Sequence, residues 1–124
     1  MAEINVVAEI FGEDKLLKPM SVSLSLGTIE MKRVPALELQ EWDKQTEKER
    51  KDMEDETLTA FYLQKFGIDD RWRSVECDEL AASINKTFTQ GDMMCITRWY
   101  LDLLGLTFEE MIALSERKNF RRGR

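Results

Sequence analysis

The chain has 124 residues and a formal net charge of −6, with two cysteines and no histidine. A chain of this length buries roughly two thirds of its unfolded surface, which is enough for one hydrophobic core. Without histidine the Ser/His, Cys/His and HExxH arrangements are excluded, and because Cys77 and Cys95 form no CxxC pair, neither a structural zinc site nor a disulfide framework is expected.

Strand patterns occupy the first part of the chain. Residues 4–11, INVVAEIF, are rich in β-branched residues with a partial apolar alternation, and residues 27–34 can form a further short strand. Residues 21–27, SVSLSLG, alternate strictly and place three apolar side chains on one face, namely Val22, Leu24 and Leu26. These patterns predict an N-terminal β-hairpin or a small three-stranded antiparallel sheet within residues 1–34.

Helix patterns begin after Pro35, whose fixed backbone angle suits a first helical turn. Leu39 and Trp42 share one face of a helix predicted over residues 36–50, whereas residues 43–56 are nearly all charged. That charged run can continue the helix or form a solvated linker, and the sequence leaves the choice open.

Two further helices follow the charged run. The apolar repeat TLTAFYLQKFG predicts a helix that ends at Gly67 in a positive-φ conformation. A short helix is then predicted from Leu80, Ile84 and Phe88, which fall on one stripe.

Two capping signatures divide the stretch FTQGDMMCITRWYLDLLGLTFEEM. Thr89 with Asp92, and Thr107 with Glu110, each match the pattern in which a Thr and an acidic residue three positions later cap a helix start. Gly105, between them, is predicted to end the first of these helices. A pair of helices with a very tight joint is therefore expected.

These elements together predict an α+β fold that is mainly α. The β element lies in residues 1–34, and four to five helices follow in residues 35–116, so that residues 1–116 form one globular domain. Residues 117–124 are strongly basic and are expected to be a disordered tail. The predicted core includes Phe61, Ile84, Ile96, Tyr100 and Leu103.

The sequence offers little catalytic chemistry. Its six glycines are scattered singly, so no phosphate-binding glycine loop is present. Adjacent acidic pairs such as Asp69 and Asp70 lack the apolar setting that raises a carboxylate pKa for general-acid catalysis. Cys95 is interpreted as a buried apolar side chain, and Cys77 lies among acidic residues that disfavour a thiolate. We expect no enzyme activity, no catalytic residue, no cofactor and no metal.

Two groups of residues suit a protein-binding surface. The first is a tryptophan between two arginines, the composition of an interface anchor, although a lid over the core is the alternative. The second is the late helix, whose apolar residues spread beyond the usual stripe of about 100°, so that it is either central in the domain or covered by a partner. The predicted partner-binding residues are Arg71, Trp72, Arg73, Met94, Trp99 and Leu101.

The expected setting is intracellular and reducing. No apolar run approaches the roughly 18 residues needed to span a bilayer, and the N-terminal MAEINVVAEIFGEDK lacks the basic region of a signal peptide. The acidic balance of the body disfavours direct nucleic-acid binding. A homo-oligomer is left open.

The order of parts resembles that of the tail assembly chaperones of long-tailed bacteriophages. The matching features are VSLSLGTIEMKRVPALELQEWDKQ, in which an alternating strand runs into a helix rich in Leu, Glu and Gln; the long charged middle; the helix TLTAFYLQKF; and the late FTQGDMMCITRWYLDLLGLTFEE. It is a resemblance of pattern over residues 20–112.

The resemblance implies a small, mostly helical, non-enzymatic protein of the host cytoplasm. Such a protein binds the tape-measure protein and recruits tail-tube subunits while the tail is built. Residues 4–11 depart from the pattern as a more definite strand, which leaves open another small phage structural protein. The alternative from a different class is a small acidic phage inhibitor of a host nucleic-acid-binding protein, with the carboxylates of residues 43–56 placed where phosphates would lie.

The resemblance also implies a second, longer product. Phage tail assembly chaperones are often made in two lengths, the longer one when ribosomes slip back one base near the end of the first reading frame. Arg117, Lys118 and Asn119 can be encoded as CGA AAA AAC or AGA AAA AAC, either of which contains the slip sequence A AAA AAC. We therefore expect a frameshift at these codons and expect residues 120–124 to be dispensable for folding.

Overall fold

The computed structural model describes residues 5–105. The mainly helical α+β class is confirmed. The cap at Thr107, the helix after it and the basic tail of residues 117–124 lie outside the described residues, and the single domain over residues 1–116 stays a prediction. The elements in chain order are helices α1 (Val6–Phe11) and α2 (Glu13–Leu17), strands β1 (Met20–Leu24) and β2 (Gly27–Met31), helices α3 (Ala36–Lys51) and α4 (Asp55–Phe66), a 3-10 turn (Asp70–Arg73), and helices α5 (Cys77–Thr87) and α6 (Gln90–Leu103).

The first predicted strand is wrong, because the segment within residues 4–11 forms the helix α1. The Asn5 side chain caps this helix by accepting a hydrogen bond from the backbone N–H of Ala8 at 2.9 Å. β-branched residues favour strands, but apolar residues at positions 6, 7, 10 and 11 also fall on one side of a helix. The helix ends at Gly12, whose φ of 90° ordinary side chains rarely adopt.

The strands predicted over residues 21–27 and 27–34 are confirmed, with small shifts at their ends, but they pair with each other instead of with residues 4–11. β1 and β2 pair antiparallel, with Val22 opposite Ile29 and Met20 opposite Met31. Val22 and Met31 are buried in the core. Leu26, which the alternation placed on the apolar face, lies in the two-residue turn and is 67% exposed.

Strand β2 also pairs with the end of α4. Met31 forms an antiparallel bridge with Gly67, and the backbone N–H of Ile68 donates to the carbonyl of Glu30 at 3.0 Å. Gly67 consequently has an extended conformation, φ −63° and ψ 135°, so the predicted positive φ is wrong. Glycine is needed there for close approach instead, because a Cβ would lie 2.5 Å from the Trp72 ring and 2.5 Å from the Leu63 carbonyl oxygen.

The charged run is helical as far as Lys51. Helix α3 extends the predicted helix by one residue, and residues 52–54 separate it from α4. Asp55 and Glu56 then occupy the first turn of α4, where carboxylates interact favourably with the helix dipole. The choice left open for this run is therefore settled as helix, a three-residue break, and the start of a second helix.

The core lies between the hairpin and helices α3 to α6. Ile84, Ile96 and Tyr100 are buried as predicted, whereas Phe61 and Leu103 are only half-buried. Helix α6 contacts both α4 and β1, which makes it a central element of the body. The buried apolar residues are Val22, Met31, Leu39, Leu58, Ala60, Tyr62, Leu63, Phe66, Leu80, Ala81, Ile84, Met93, Ile96, Trp99 and Tyr100.

Both ends of α6 match the sequence pattern. Thr89 and Asp92 form a reciprocal capping box, in which the backbone N–H of Asp92 donates to Thr89 Oγ1 and the backbone N–H of Thr89 donates to Asp92 Oδ2, each at 3.0 Å. Gly105 follows the helix with a φ of 76°, as expected for a glycine that ends a helix.

Candidate protein-binding surfaces

The predicted anchor at Trp72 is largely occupied by contacts within the chain. Trp72 is half-buried and packs against the core beside Gly67. The Arg73 guanidinium donates to the carbonyl oxygens of Gln64 at 2.7 Å and Gly67 at 3.0 Å, and so caps the end of α4. Arg71 remains exposed and is paired with Asp69. The lid interpretation of Trp72 thus fits the packing better than a free anchor does.

The other predicted contact residues separate onto different sides of α6. Met94 is 53% exposed, and Leu101, two turns later, is half-buried on the same side of the helix. Trp99 is only 7% exposed and packs edge-on against Phe66 at a ring separation of 5.6 Å. A partner could not reach Trp99 without unpacking the core, which leaves Met94 and Leu101 as the accessible part of this group.

An apolar surface outside the predicted partner-binding residues lies on the N-terminal helices. Neither α1 nor α2 contains a buried residue, and the contacts of α1 are mainly with α2. Five large apolar side chains here are between 51% and 84% exposed. We call this set the N-terminal apolar surface, and it consists of Val6, Val7, Ile10, Phe11 and Leu17.

The signal for this surface was present in the sequence but pointed two ways. Asn5 is a preferred N-cap residue, and apolar residues at spacings of one, four and five after Val6 fit a helix. Three of these residues are β-branched and Phe11 is aromatic, which favoured a strand. The segment forms a helix, and its large apolar side chains remain exposed.

A partly buried polar cluster joins α3, α4 and α6. Asp43 accepts from the Arg50 guanidinium and from the Tyr100 hydroxyl, each at 2.6 Å. Arg50 lies over the rings of Trp42 and Tyr100, 5.5 and 5.3 Å from their centroids, and the rings of Tyr62 and Tyr100 stack at 4.4 Å. These contacts hold three helices together, and the charged and hydrogen-bonding groups of the cluster find their partners within it.

The chemistry of this cluster favours a structural role. Burial, together with the hydrogen bond to Asp43, raises the pKa of Tyr100 well above its ordinary value. Tyr100 therefore stays a protonated donor at neutral pH, which is unsuited to acid–base exchange there. The Arg50 charge is balanced by Asp43, so neither group is free to bind a charged ligand.

The cysteines and acidic residues add no reactive constellation within residues 5–105. Burial, followed by the charge of Asp78, raises the pKa of the Cys77 thiol, which lowers its reactivity. No group of three or more His, Cys, Asp or Glu in this part of the chain is placed to hold a metal ion. No helix in the same range has the length and apolar character required to cross a bilayer.

Residues 43–56 do not form one acidic face. Seven carboxylates in this run alternate with four basic side chains. One of the acids, Asp43, is tied to Arg50, and the break at residues 52–54 divides the run between two helices. Because basic side chains interrupt the carboxylates, this run does not reproduce the uniform negative charge of a phosphate backbone, which weakens the inhibitor alternative.

Comparison with known proteins identifies no relative. No protein family matches the chain, and neither a known protein nor a solved structure shows significant similarity to it.

Proposed function

We propose that the chain is a non-enzymatic assembly chaperone of the phage tail type, which binds the tape-measure protein in the host cytoplasm and brings tail-tube subunits to it. The observation that carries the proposal is the N-terminal apolar surface, where Ile10 and Phe11 are 72% and 64% exposed. Contiguous exposed apolar surface marks sites of protein interaction in small proteins. The pattern resemblance supplies the identity of the client.

The construction of the N-terminal helices fits a surface that a client completes. α1 has six residues and α2 has five, lengths at which an isolated helix is marginal in water. Their apolar side chains gain stability when a partner removes them from water, at roughly 25 cal/mol per Å² of apolar area. A chaperone must release its client, so a small separate surface serves it better than one built into the core.

The exposed side of α6 is the second place at which a client could bind. Met94 stands out there because methionine adapts its shape at low cost and suits surfaces that accept more than one arrangement. Arg98 and Asp102 are exposed on the same side of the helix and would form the polar rim of such a contact.

The test is co-expression with the tape-measure protein encoded in the same genome, followed by co-purification and measurement of Kd. Ile10→Asp and Phe11→Asp should abolish or strongly weaken the complex while leaving the fold intact, because both side chains are exposed. Leu26→Asp is the matched control, since Leu26 is 67% exposed but lies in the hairpin turn. Equal binding by all three variants would overturn the N-terminal apolar surface as the client site.

Met94→Asp tests the second surface in the same assay. Loss of binding in this variant alone would move the client to α6 and leave the chaperone proposal standing. Failure of the parent chain to bind either tape-measure or tail-tube protein would overturn the proposal itself.

The longer product has a test that is independent of binding. If the codons for residues 117–119 cannot slip, and no other slip site or overlapping frame lies near the end of the gene, the frameshift prediction fails. The chaperone proposal would then rest on the binding assay alone.

A further inference from the structure

The two edges of the β-hairpin differ in their hydrogen bonding. On β2, the carbonyl of Glu30 accepts from the N–H of Ile68, and the N–H of Lys32 donates to the carbonyl of Phe66, so the outer edge of β2 is bonded to the end of α4. Backbone groups point alternately to the two sides of a strand, so Met31, between these two residues, bonds to β1 instead. The outer edge of β1 is the other edge of this two-stranded sheet.

Ser21 and Ser23 supply the backbone groups of the β1 edge. By the same alternation, their N–H and C=O groups point away from β2. No backbone hydrogen bond on that side reaches either residue within the described part of the chain, and both side chains are exposed. The open stretch is short, because Pro19 has no N–H and the N–H of Ser25 is bound by the Asp92 carboxylate at 2.7 Å. Each chain therefore offers two free N–H and two free C=O groups in a row.

The open edge is also free of charge. Residues 19–29 contain no Asp, Glu, Lys or Arg, although these types make up 34% of the chain. Proteins commonly block an open strand edge with charged side chains, because its unpaired N–H and C=O groups are a template for another strand. Like charges placed opposite each other on neighbouring strands are destabilising. Two copies of this edge bring no like charges together, even though each chain has a net charge of −6.

We propose that β1 pairs antiparallel with β1 of a second copy of the chain, so that the two hairpins form one four-stranded sheet. The two-fold axis passes between the two Val22 residues, which places Ser21 of each copy opposite Ser23 of the other. Each of these two pairs exchanges two N–H···O=C bonds, and every free backbone group of the two serines is used. The next pair would join Pro19 to Ser25, and the ladder ends there because neither has a free N–H.

A contact between two such short strands is small, and small interfaces are typical of weak, transient complexes. We therefore expect dissociation in the micromolar to millimolar range. The dimer uses no residue of the N-terminal apolar surface, so it can form whether or not that surface binds a client.

The experiment is sedimentation velocity and NMR on the full-length chain across that concentration range. A monomer–dimer equilibrium should appear. In an equal mixture of ¹³C-labelled and unlabelled chain, an isotope-filtered NOE should join the Val22 Hα protons of the two copies, because the Cα atoms of such a non-hydrogen-bonded pair lie about 4.5 Å apart. A monomer at every concentration overturns the proposal. A dimer whose intermolecular NOEs lie elsewhere, for example on the N-terminal apolar surface, overturns it as well.

Ser23→Glu and Thr28→Glu form a matched pair of variants. The two residues lie opposite each other in the hairpin and both are exposed, but only Ser23 is on the open edge. Ser23→Glu places two like charges diagonally across the axis and should weaken the dimer roughly five- to tenfold. Thr28→Glu adds the same charge on β2 and should dimerise as the parent does. Equal weakening by both variants would mean general charge repulsion and would overturn the pairing of β1.

Ser23→Pro tests the backbone directly. It removes an N–H that points away from β2, so the hairpin keeps its own hydrogen bonds, whereas the dimer loses one bond from each copy. Dimerisation should weaken roughly ten- to a hundredfold. Unchanged core amide resonances in the ¹⁵N spectrum show that the variant is folded, and undiminished dimerisation would overturn the proposal. All of these outcomes are read without the tape-measure protein, so they are independent of the chaperone proposal.

Discussion

Helix α6 and the N-terminal helices carry similar rows of large apolar side chains, yet only α6 buries them. Ile96 on α6 is fully buried, whereas Ile10 on α1 is 72% exposed. Both helices begin with a side-chain cap, Thr89 for α6 and Asn5 for α1. Local signals therefore form a helix in both places, and the difference comes from what each helix packs against.

The attachment of α6 to the hairpin explains much of the contrast. Asp92 in its first turn accepts a hydrogen bond from the backbone N–H of Ser25 at 2.7 Å and another from the Ser25 hydroxyl at 2.6 Å. The same carboxylate belongs to the capping box with Thr89. A local cap thus also fixes a contact between residues 67 positions apart in the sequence. The Asn5 cap satisfies only its own helix.

Replacing one isoleucine in each region should give the largest difference between them. Ile96→Ala leaves a cavity in the core and should lower the free energy of unfolding by about 2–5 kcal/mol. Ile10→Ala should change it by less than about 0.5 kcal/mol, because the side chain is already in water. Denaturant titration of both variants measures this. A large loss in Ile10→Ala would mean that α1 belongs to the cooperative core.

Gly67→Ala should have the next largest effect. The new Cβ would lie 2.5 Å from both the Trp72 ring and the Leu63 carbonyl oxygen, so the end of α4 has to shift against β2. Overpacking of this kind costs about 1–3 kcal/mol. Gly91→Ala is the matched control, because its nearest neighbour beyond the local backbone is 3.7 Å away. An equal loss of stability in both variants would contradict the close-approach explanation.

Features set by residues close in sequence could be predicted, and features set by contacts between distant residues could not. The α6 caps, the hairpin and α3 could be predicted because each depends on residues close in sequence. The conformation of Gly67 could not, since it follows from pairing with Met31. Local patterns also could not tell that Trp99 is buried while Met94 is exposed, because both lie on an apolar helix and their burial depends on which side of α6 the rest of the body covers.

The candidate sites were less predictable than the fold. Arg73 has the composition of a binding residue but caps α4 instead. Val6 and Phe11 are exposed although they lie on the apolar side of a helix. Because hydrophobic periodicity predicts that such a side is buried, their exposure could not be predicted from the sequence pattern.

Acid should weaken the attachment of α6 to the hairpin. Hydrogen bonds from the Ser25 side chain and backbone, followed by those of Thr89, hold the pKa of Asp92 at about 2, below its ordinary value of 3.8. Because the folded-state pKa is the lower one, this stabilisation is complete well above pH 3.8 and is lost as the pH falls through about 2.

The measurement is the denaturant midpoint of the parent and of Asp92→Asn between pH 7 and pH 2. The variant should be less stable at neutral pH, and the difference should shrink across the acidic range. Ser25→Ala keeps the bond from the backbone N–H and should therefore lose less than Asp92→Asn. A difference that stays constant down to pH 2 would mean that the Asp92 charge does not contribute.

The two helix caps give the smallest effects and the finest comparison. Thr89→Ala should lower global stability by about 1 kcal/mol, because α6 is part of the core and its cap contributes to the whole. Asn5→Ala should leave the global unfolding transition unchanged, since no residue of α1 is buried and the helix can fray without disturbing the body. Amide exchange separates the two cases: the α1 amides should exchange faster in Asn5→Ala, while the α4 and α6 amides keep the protection of the parent.

A global loss in Asn5→Ala equal to that in Thr89→Ala would show that α1 is coupled to the core. Its apolar side chains would then stabilise the protein's own fold, and the N-terminal apolar surface could no longer be treated as a region reserved for a client.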